Sequence, residues 1–249
     1  MINEGGNMRI GLFDSGVGGL TVLKTLLKKY PDNEYIYYGD TLNLPYGDKT
    51  KEELLKLAKD NVNFLLDKQV DMIIIACGTV SSNCLSELKQ LYKIPIMSIV
   101  EPTIDYLNNS NYNNILVIAT KATINSHMFK NNINKCVYEL ATPKLVPLIE
   151  SNNLDDIDTI LKEYLKDYLD KIDVLVLGCT HYPIISEYIS NILGNIKLLD
   201  MSELIKIDNG INNKVSIYFS KLDNNVITNT KRILSNIDYK LYENTTKCD

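Results

Sequence analysis

The sequence predicts an α/β fold of two similar doubly wound lobes with largely parallel sheets and a site in the cleft between them. Apolar runs and amphipathic stretches alternate almost throughout its 249 residues, the pattern of strands joined by crossover helices. The unit Asp71-Met72-Ile73-Ile74-Ile75-Ala76-Cys77-Gly78-Thr79 has an echo in Asp173-Val174-Leu175-Val176-Leu177-Gly178-Cys179-Thr180-His181. Polar residues 108–114 separate a first set of strands from a second.

In chain order, residues 9–13 read as a strand and 19–29 as a helix, followed by a strand at 34–38. Residues 51–68 carry apolar side chains at 54, 58, 62 and 65, a helical stripe. A strand at 72–76, a helix at 81–91 and a strand at 96–100 complete the first set. The second set holds a strand at 115–119, a helix at 123–133, a short apolar stretch to Leu140, and a helix at 154–169. Strand, helix and strand follow at Val174–Leu177, 184–193 and 197–199. The tail reads as a strand at 215–219, a helix at 226–234 and a last strand at 239–242. The expected lobes are residues 1–100 plus 210–249, carrying Cys77, and residues 101–209, carrying Cys179. The asparagine-rich stretches at 108–114 and 131–134 read as solvated turns.

Composition narrows the function classes. Hydrophobic residues make up 45% and charged residues 23%, ordinary for a globular protein. A net charge of −5 leaves no basic footprint for nucleic acid. No apolar run is long enough to span a bilayer. Residues 1–7 are polar and lack the order of a signal peptide, so a cytoplasmic location is expected. The five cysteines (77, 84, 136, 179 and 248) include no CxxC pair, and there are only two histidines. Neither a disulfide framework nor a metal site is expected.

Each repeated unit places its cysteine just past the carboxyl end of a buried parallel strand, where α/β sheets hold ligands. A lone cysteine there is usually a small buried hydrophobe. Two presented alike suggest one thiol on each side of a substrate. The Thr-Val-Ser-Ser run after Cys77 suits a helix N-terminus, whose positive potential would lower the thiol pKa. Thr180, His181 and Pro183 suggest the same for Cys179. Cys84, Cys136 and Cys248 lack such a frame and read as structural or incidental.

Around this pair stand further candidates. Asp14-Ser15-Gly16-Val17-Gly18-Gly19 leaves the first strand, and its glycines suit a tight turn or close approach to an anion. A dinucleotide fingerprint would need glycine at Thr21, so nucleotide binding is disfavoured, with Asp40 only a weak ribose ligand. Asp14 reads as a carboxylate aimed into the site, to bind an ammonium group or steer a thiol proton. Pro45 and Gly47 shape a loop in which Tyr46 offers a hydroxyl or an amide. His181 either polarises Cys179 or is a satisfied core histidine, and Glu150 either points into the cleft or caps a helix. Thr120 and Thr123 flank a strand end, where their hydroxyls reach a carboxylate.

Phe13-Asp14-Ser15-Gly16-Val17-Gly18-Gly19-Leu20-Thr21-Val22, Tyr38-Gly39-Asp40-Thr41, Pro45-Tyr46-Gly47, Ala76-Cys77, Val146-Pro147-Leu148-Ile149-Glu150 and Gly178-Cys179-Thr180-His181-Tyr182-Pro183 together resemble glutamate racemase of the aspartate/glutamate racemase superfamily. The resemblance spans nearly the whole chain. It implies cofactor-independent interconversion of L- and D-glutamate, with D-glutamate supplied to peptidoglycan. It implies that Cys77 takes the α-proton of the D isomer, assisted by Asp14, and Cys179 that of the L isomer, assisted by Glu150 and His181. Substrate contacts would come from Asp14, Ser15, the Pro45-Tyr46-Gly47 turn, Gly78, Thr79, Thr120, Thr123, Thr180 and His181. No cofactor, metal, nucleic acid or membrane is implied, and a homodimer is in keeping with the family.

The family usually has Ala-Cys-Asn-Thr where this chain has Ala76-Cys77-Gly78-Thr79. Losing an amide bond to a charged ligand costs roughly 1.5–3 kcal/mol, and a water filling the gap, or an enlarged pocket, is expected. Two alternatives follow: a two-thiol enzyme acting on aspartate or another acid, and a catalytically weakened binding or regulatory paralog.

Overall fold

The computed structural model describes residues 8–244. The expectations for residues 1–7 and for Cys248 lie outside the described residues. In chain order the elements are β1 (Arg9–Asp14), α1 (Leu20–Lys29), β2 (Glu34–Gly39), α2 (Lys51–Asp67), β3 (Met72–Ile75), α3 (Gly78–Leu91), β4 (Ile96–Ser98), α4 (Val100–Asn109), β5 (Asn114–Ala119), α5 (Lys121–Asn125), α6 (Met128–Asn132) and β6 (Cys136–Ala141). Then come α7 (Leu145–Glu150), α8 (Ile157–Leu165), β7 (Val174–Leu177), α9 (Ser186–Leu193), β8 (Lys197–Asp200), β9 (Lys214–Phe219), α10 (Asn224–Ile233) and β10 (Lys240–Glu243).

Two sheets form, of six and four strands, in the orders β10-β9-β2-β1-β3-β4 and β6-β5-β7-β8. Every strand pair is parallel. The central strands are buried on both faces, which is why β3 (Met-Ile-Ile-Ile) and β7 (Val-Leu-Val-Leu) read as unbroken apolar runs. In the larger sheet β2 and β3 flank β1; in the smaller, β6 and β7 flank β5. Strand order therefore reverses beside β1 in one sheet and beside β5 in the other. The crevice outside the carboxyl ends at such a point is where an open α/β sheet binds ligand. Cys77 follows β3 and Cys179 follows β7, so each sulfur sits at its sheet's reversal point.

The two sheets share a core. One buried cluster joins Ile10, Leu12 and Tyr37 of the larger sheet with Ile115, Val117 and Val174 of the smaller. Separate clusters cover the outer faces, one with Phe13, Ile73 and Leu88, the other with Leu116, Leu175 and Leu161. The inner faces are thus packed through apolar side chains, and the cleft between their carboxyl ends is narrow.

Local chemistry explains where elements begin and end. Thr50 and Glu53 make a capping box on α2: Glu53 N donates to Thr50 Oγ1 at 3.3 Å and Thr50 N to Glu53 Oε2 at 2.8 Å. The expected helix at 123–133 is two helices, because His127 takes a left-handed conformation with φ 51° and breaks the run. The stretch to Leu140 is the strand β6, and the helix expected at 184–193 starts at Ser186 after a tight turn at Tyr182–Ile185. Sequence reading missed α4 and α7 as helices.

Candidate active site

A cavity of about 70 Å³ lies between the carboxyl ends of the two sheets. Ser15, Pro45, Tyr46, Gly47, Cys77, Gly78, Thr79, Thr120, Cys179, Thr180 and His181 line it. An open groove of about 1170 Å³ elsewhere, lined by residues such as Met97, Glu101, Asp105 and Tyr112, contains neither cysteine nor histidine. Chemistry rather than size therefore marks the site. At about 70 Å³ the cavity has room for about five waters, so an amino acid enters only if the loop or the lobes give way.

Three expected site residues stand one layer behind the wall. Asp14, the last residue of β1, is fully buried; its Oδ1 accepts from Gly16 N at 2.9 Å and its Oδ2 from Thr180 Oγ1 at 3.2 Å. Thr123 is buried behind Thr120, hydroxyl to hydroxyl at 3.0 Å. Glu150 stands behind His181, with Oε1 2.5 Å from Nε2. Asp14 and Thr123 thus do not line the cavity themselves, and each hydrogen-bonds a residue that does. The Tyr46 hydroxyl is also committed, donating to Asp40 Oδ2 at 2.6 Å and accepting from Asn61 Nδ2 at 3.2 Å. Its backbone amide is what it can offer a ligand. Asp40 also accepts from Asn43 and Ser220, which makes it the anchor of the 40–47 loop rather than a ribose ligand.

Contacts between the lobes close the cavity. Thr79 Oγ1 meets Thr120 Oγ1 at 2.9 Å, Ala122 N donates to Gly47 O at 2.9 Å, and Thr21 Oγ1 donates to Thr180 O at 2.9 Å. The glycine-rich turn after β1 allows this apposition. A Cβ on Gly18 would lie 2.5 Å from the His181 ring and 2.6 Å from Thr180 Oγ1, and one on Gly16 would lie 3.0 Å from Glu150 Oε1.

Gly78 has the same purpose. A Cβ there would stand 2.6 Å from the carbonyl oxygen of Gly178. The expected water-filled gap or enlarged pocket at Gly78 is therefore corrected: the opposing backbone fills that direction. Gly78→Asn, which restores the family's usual residue, is expected to lower kcat/KM for glutamate by about tenfold or more, because overpacking against backbone costs roughly 1–3 kcal/mol. Steady-state kinetics beside a melting curve check this, and a gain of activity would refute it.

The two sulfurs differ in electrostatics. Cys77 caps α3 and donates to Ser15 Oγ at 3.9 Å. Burial first, then the nearby Asp14 charge, pushes its thiol up to about 12; the Val80 N–H and Ser15 pull the other way and lose. The expectation that the helix N-terminus would favour a Cys77 thiolate is corrected, since burial outweighs it. Alkylation of Cys77 by iodoacetamide is therefore expected to rise about tenfold per pH unit between pH 7 and 10 without a plateau, read by mass spectrometry of its peptide. Levelling near pH 9 would contradict this.

Cys179 does not begin an α-helix, because α9 starts seven residues later. Its partner is His181, whose Nδ1 lies 3.6 Å from Sγ. Burial alone would lower the His181 pKa, but hydrogen bonds to Cys179 and Glu150 reverse this and raise it well above the usual imidazole value. The imidazolium is the counter-ion that a thiolate at Cys179 needs. Burial pushes Asp14 upward despite the His181 charge and its hydrogen bonds to Gly16, Gly19 and Thr180. A charge on Cys179 would add a little to the Cys77 shift, and both cysteines line the same cavity.

Sequence reading missed Leu44, Asp48, Lys121, Thr142, Pro143, Val146 and Pro147 in the lining. The position of Lys121 directly after Thr120 was the available signal for it. Cys84 is buried away from the cavity and Cys136 is exposed at the start of β6. Among the described residues no group of three or more His, Cys, Asp or Glu side chains is arranged to hold a metal ion, and no helix is long and apolar enough to cross a membrane.

Residues 37–204 match the family model of Asp/Glu/hydantoin racemases. The glutamate racemase of Aquifex aeolicus is 36% identical over 239 residues, 91% of this chain and 94% of that protein. That of a Hydrogenobaculum species is 39% identical over 232 residues, 88% and 90%. Among solved structures, glutamate racemase from Francisella tularensis in complex with D-glutamate superposes with a TM-score of 0.85 at 32% identity, covering 96% of this chain and 98% of that one. With a family model over more than half its length and relatives of this identity over most of it, the chain belongs to the Asp/Glu/hydantoin racemases and, within them, to the glutamate racemases.

Proposed function

We propose that the protein interconverts L- and D-glutamate by passing protons between Cys77 and Cys179 on opposite faces of the α-carbon, without a cofactor. The observation that carries this reading is the presence of both sulfurs in one small cavity, each delivered by the equivalent strand of its sheet. With L-glutamate, the Cys179 thiolate takes the α-proton and becomes a thiol. The Cys77 thiol gives its proton to the other face and becomes a thiolate. The D isomer runs the two steps in reverse, each cysteine acting as base in one direction and acid in the other.

The environments suit these tasks. His181 stands beside the Cys179 sulfur and Glu150 holds the far side of its ring, which suits Cys179 to take the proton of the L isomer. Cys77 rests as a thiol, ready to donate to a carbanion far more basic than itself. The Asp14 carboxylate opposes a charge on Cys77, and burial favours a protonated Asp14, so proton uptake by Asp14 eases formation of the Cys77 thiolate. Ser15, Thr79, Thr120 and the amides of Gly47, Gly78 and Thr180 are the donors for the substrate's carboxylates as negative charge develops. Pro45 and the Tyr46 ring shape the wall.

The functional units are residues 1–100 plus 210–249 and residues 101–209, opening and closing on the substrate. D-glutamate made in the cytoplasm would feed peptidoglycan synthesis, and the active form is expected to be a homodimer. The test is incubation of the purified protein with either enantiomer in D₂O with nothing added. Optical rotation should decay from both sides to the same racemic end point, and each product molecule should carry one α-deuteron. Failure to exchange at millimolar glutamate would refute the reading, and faster turnover of aspartate would reassign the substrate.

A further inference from the structure

We propose that Asn225 and Asn229 on α10 form a latch across the lobes that positions Glu150, and through it His181, against Cys179. The inference rests on the two-thiol reading above. Asn225 Nδ2 donates to the carbonyl oxygen of Glu150 at 2.7 Å and Asn229 Nδ2 donates to the same oxygen at 3.0 Å. Asn229 is 1% exposed, so its amide is built into the contact rather than resting on it. Arg232 braces the arrangement, with Nη2 donating to Asn229 Oδ1 at 2.8 Å and Nη1 donating to Asn152 Oδ1.

The recipient is what gives these bonds a function. Helix α7 has only six residues and ends at Glu150, so the Glu150 carbonyl is one of the terminal acceptors a helix cannot satisfy from within. The chain then turns through Asn152 at φ 55°. That turn closes the helix on itself, Asn152 N donating to Ile149 O at 3.2 Å and Asn153 N to Leu148 O at 3.1 Å, and the Glu150 carbonyl is left to the two asparagine amides, which tie the residue bearing the Glu150 carboxylate to the other lobe. That carboxylate is 2.5 Å from His181 Nε2, and His181 Nδ1 is 3.6 Å from the Cys179 sulfur. Helix α10 lies between β9 and β10 of the six-stranded sheet, packed through Val226 and Ile233 into the shared core. The larger sheet's helix therefore holds the residue that orients the smaller sheet's sulfur.

The consequence is one-sided. The groups acting most strongly on Cys77 are Asp14 and the Val80 N–H, with lesser contributions from Cys179 and Ser15, and the latch touches none of them directly. Loosening it raises the barrier for proton transfer at Cys179 alone. Since the two enantiomers are equal in free energy, kcat/KM must fall equally in both directions, so that ratio cannot reveal the asymmetry. Isotope effects can.

The test compares wild type, Asn225→Ala and Asn229→Leu using α-deuterated L- and D-glutamate, with melting temperatures alongside. We expect kcat to fall about tenfold in Asn229→Leu and about threefold in Asn225→Ala. The deuterium effect on kcat should grow with L-glutamate, whose C–D bond Cys179 breaks, and shrink with D-glutamate, whose C–D bond Cys77 breaks. Should Asn229→Leu fail to fold, Asn225→Ala, at an exposed position, carries the test alone. Lower activity with both isotope effects unchanged, or changed equally, would mean a purely structural tie and overturn the latch while leaving the two-thiol reading intact. A wild type that does not racemise glutamate, or that tolerates loss of Cys179, would overturn both.

Discussion

Serine in place of Cys77 or of Cys179 is expected to lower kcat for glutamate racemisation by roughly 10²–10⁴-fold in both directions, the range of a lost general acid or base. The side chains are nearly equal in shape, and both positions are buried, so the folded structure should persist with little change in melting temperature. What changes is the proton chemistry, because a serine hydroxyl is far too weak an acid to rest as an anion at neutral pH. In the proposed mechanism each cysteine is base in one direction and acid in the other, so neither direction should escape either substitution. The residual chemistry is the sharper readout. Cys77→Ser retains Cys179 with His181 and should still wash solvent deuterium into L-glutamate, without inversion, but not into D-glutamate. Cys179→Ser should show the opposite preference at a lower rate, since Cys77 is held as a thiol by burial and Asp14. NMR of the recovered amino acid in D₂O measures both. Equal exchange of both enantiomers in either variant would mean that one sulfur serves both faces, and the assignment of faces would be wrong.

Much of this arrangement was legible in the sequence because parallel strands buried on both faces leave a plain mark. β3 and β7 are four-residue apolar runs with a cysteine two positions beyond, and no other segment pairs those features. His181 and Glu150 were legible as candidates by type and place. Their contact was not, because 31 residues separate them and no local periodicity encodes a pairing made by tertiary packing. Burial was the other hidden quantity. The Cys77 frame indicated a helix N-terminus correctly, yet the thiol is raised, since desolvation depends on what packs around the sulfur. α7 was missed because its six residues include Pro147, and α5 and α6 were merged because only the backbone of His127 separates them.

The glycines after β1 show the same limit and lead to the second large effect. Gly18→Ala adds one carbon, placed 2.5 Å from Nδ1 and Cε1 of His181 and 2.6 Å from Thr180 Oγ1, far inside van der Waals contact. Gly18 is not among the residues with positive φ, so alanine suits its backbone and the penalty is wholly one of space. The ring cannot slide away freely, because Glu150 holds one nitrogen and Cys179 faces the other. Relief must come from rotating the imidazole off the sulfur or from parting the lobes, and either takes the His181 ring from its place beside Cys179. We expect kcat to fall about 10²-fold, with a smaller loss for Gly16→Ala, whose added carbon stands 3.0 Å from Glu150 Oε1 and 3.1 Å from the end of the flexible Leu44 side chain. Gly194→Ala separates this effect from ordinary backbone strain. Gly194 has φ 64° and nothing within 4 Å of its would-be Cβ, so alanine there should cost about 1–3 kcal/mol of stability and leave kcat unchanged. If Gly18→Ala instead lowered the melting temperature while sparing kcat, the apposition of Gly18 and His181 would be packing alone, and orientation of His181 would have to come from Glu150 by itself.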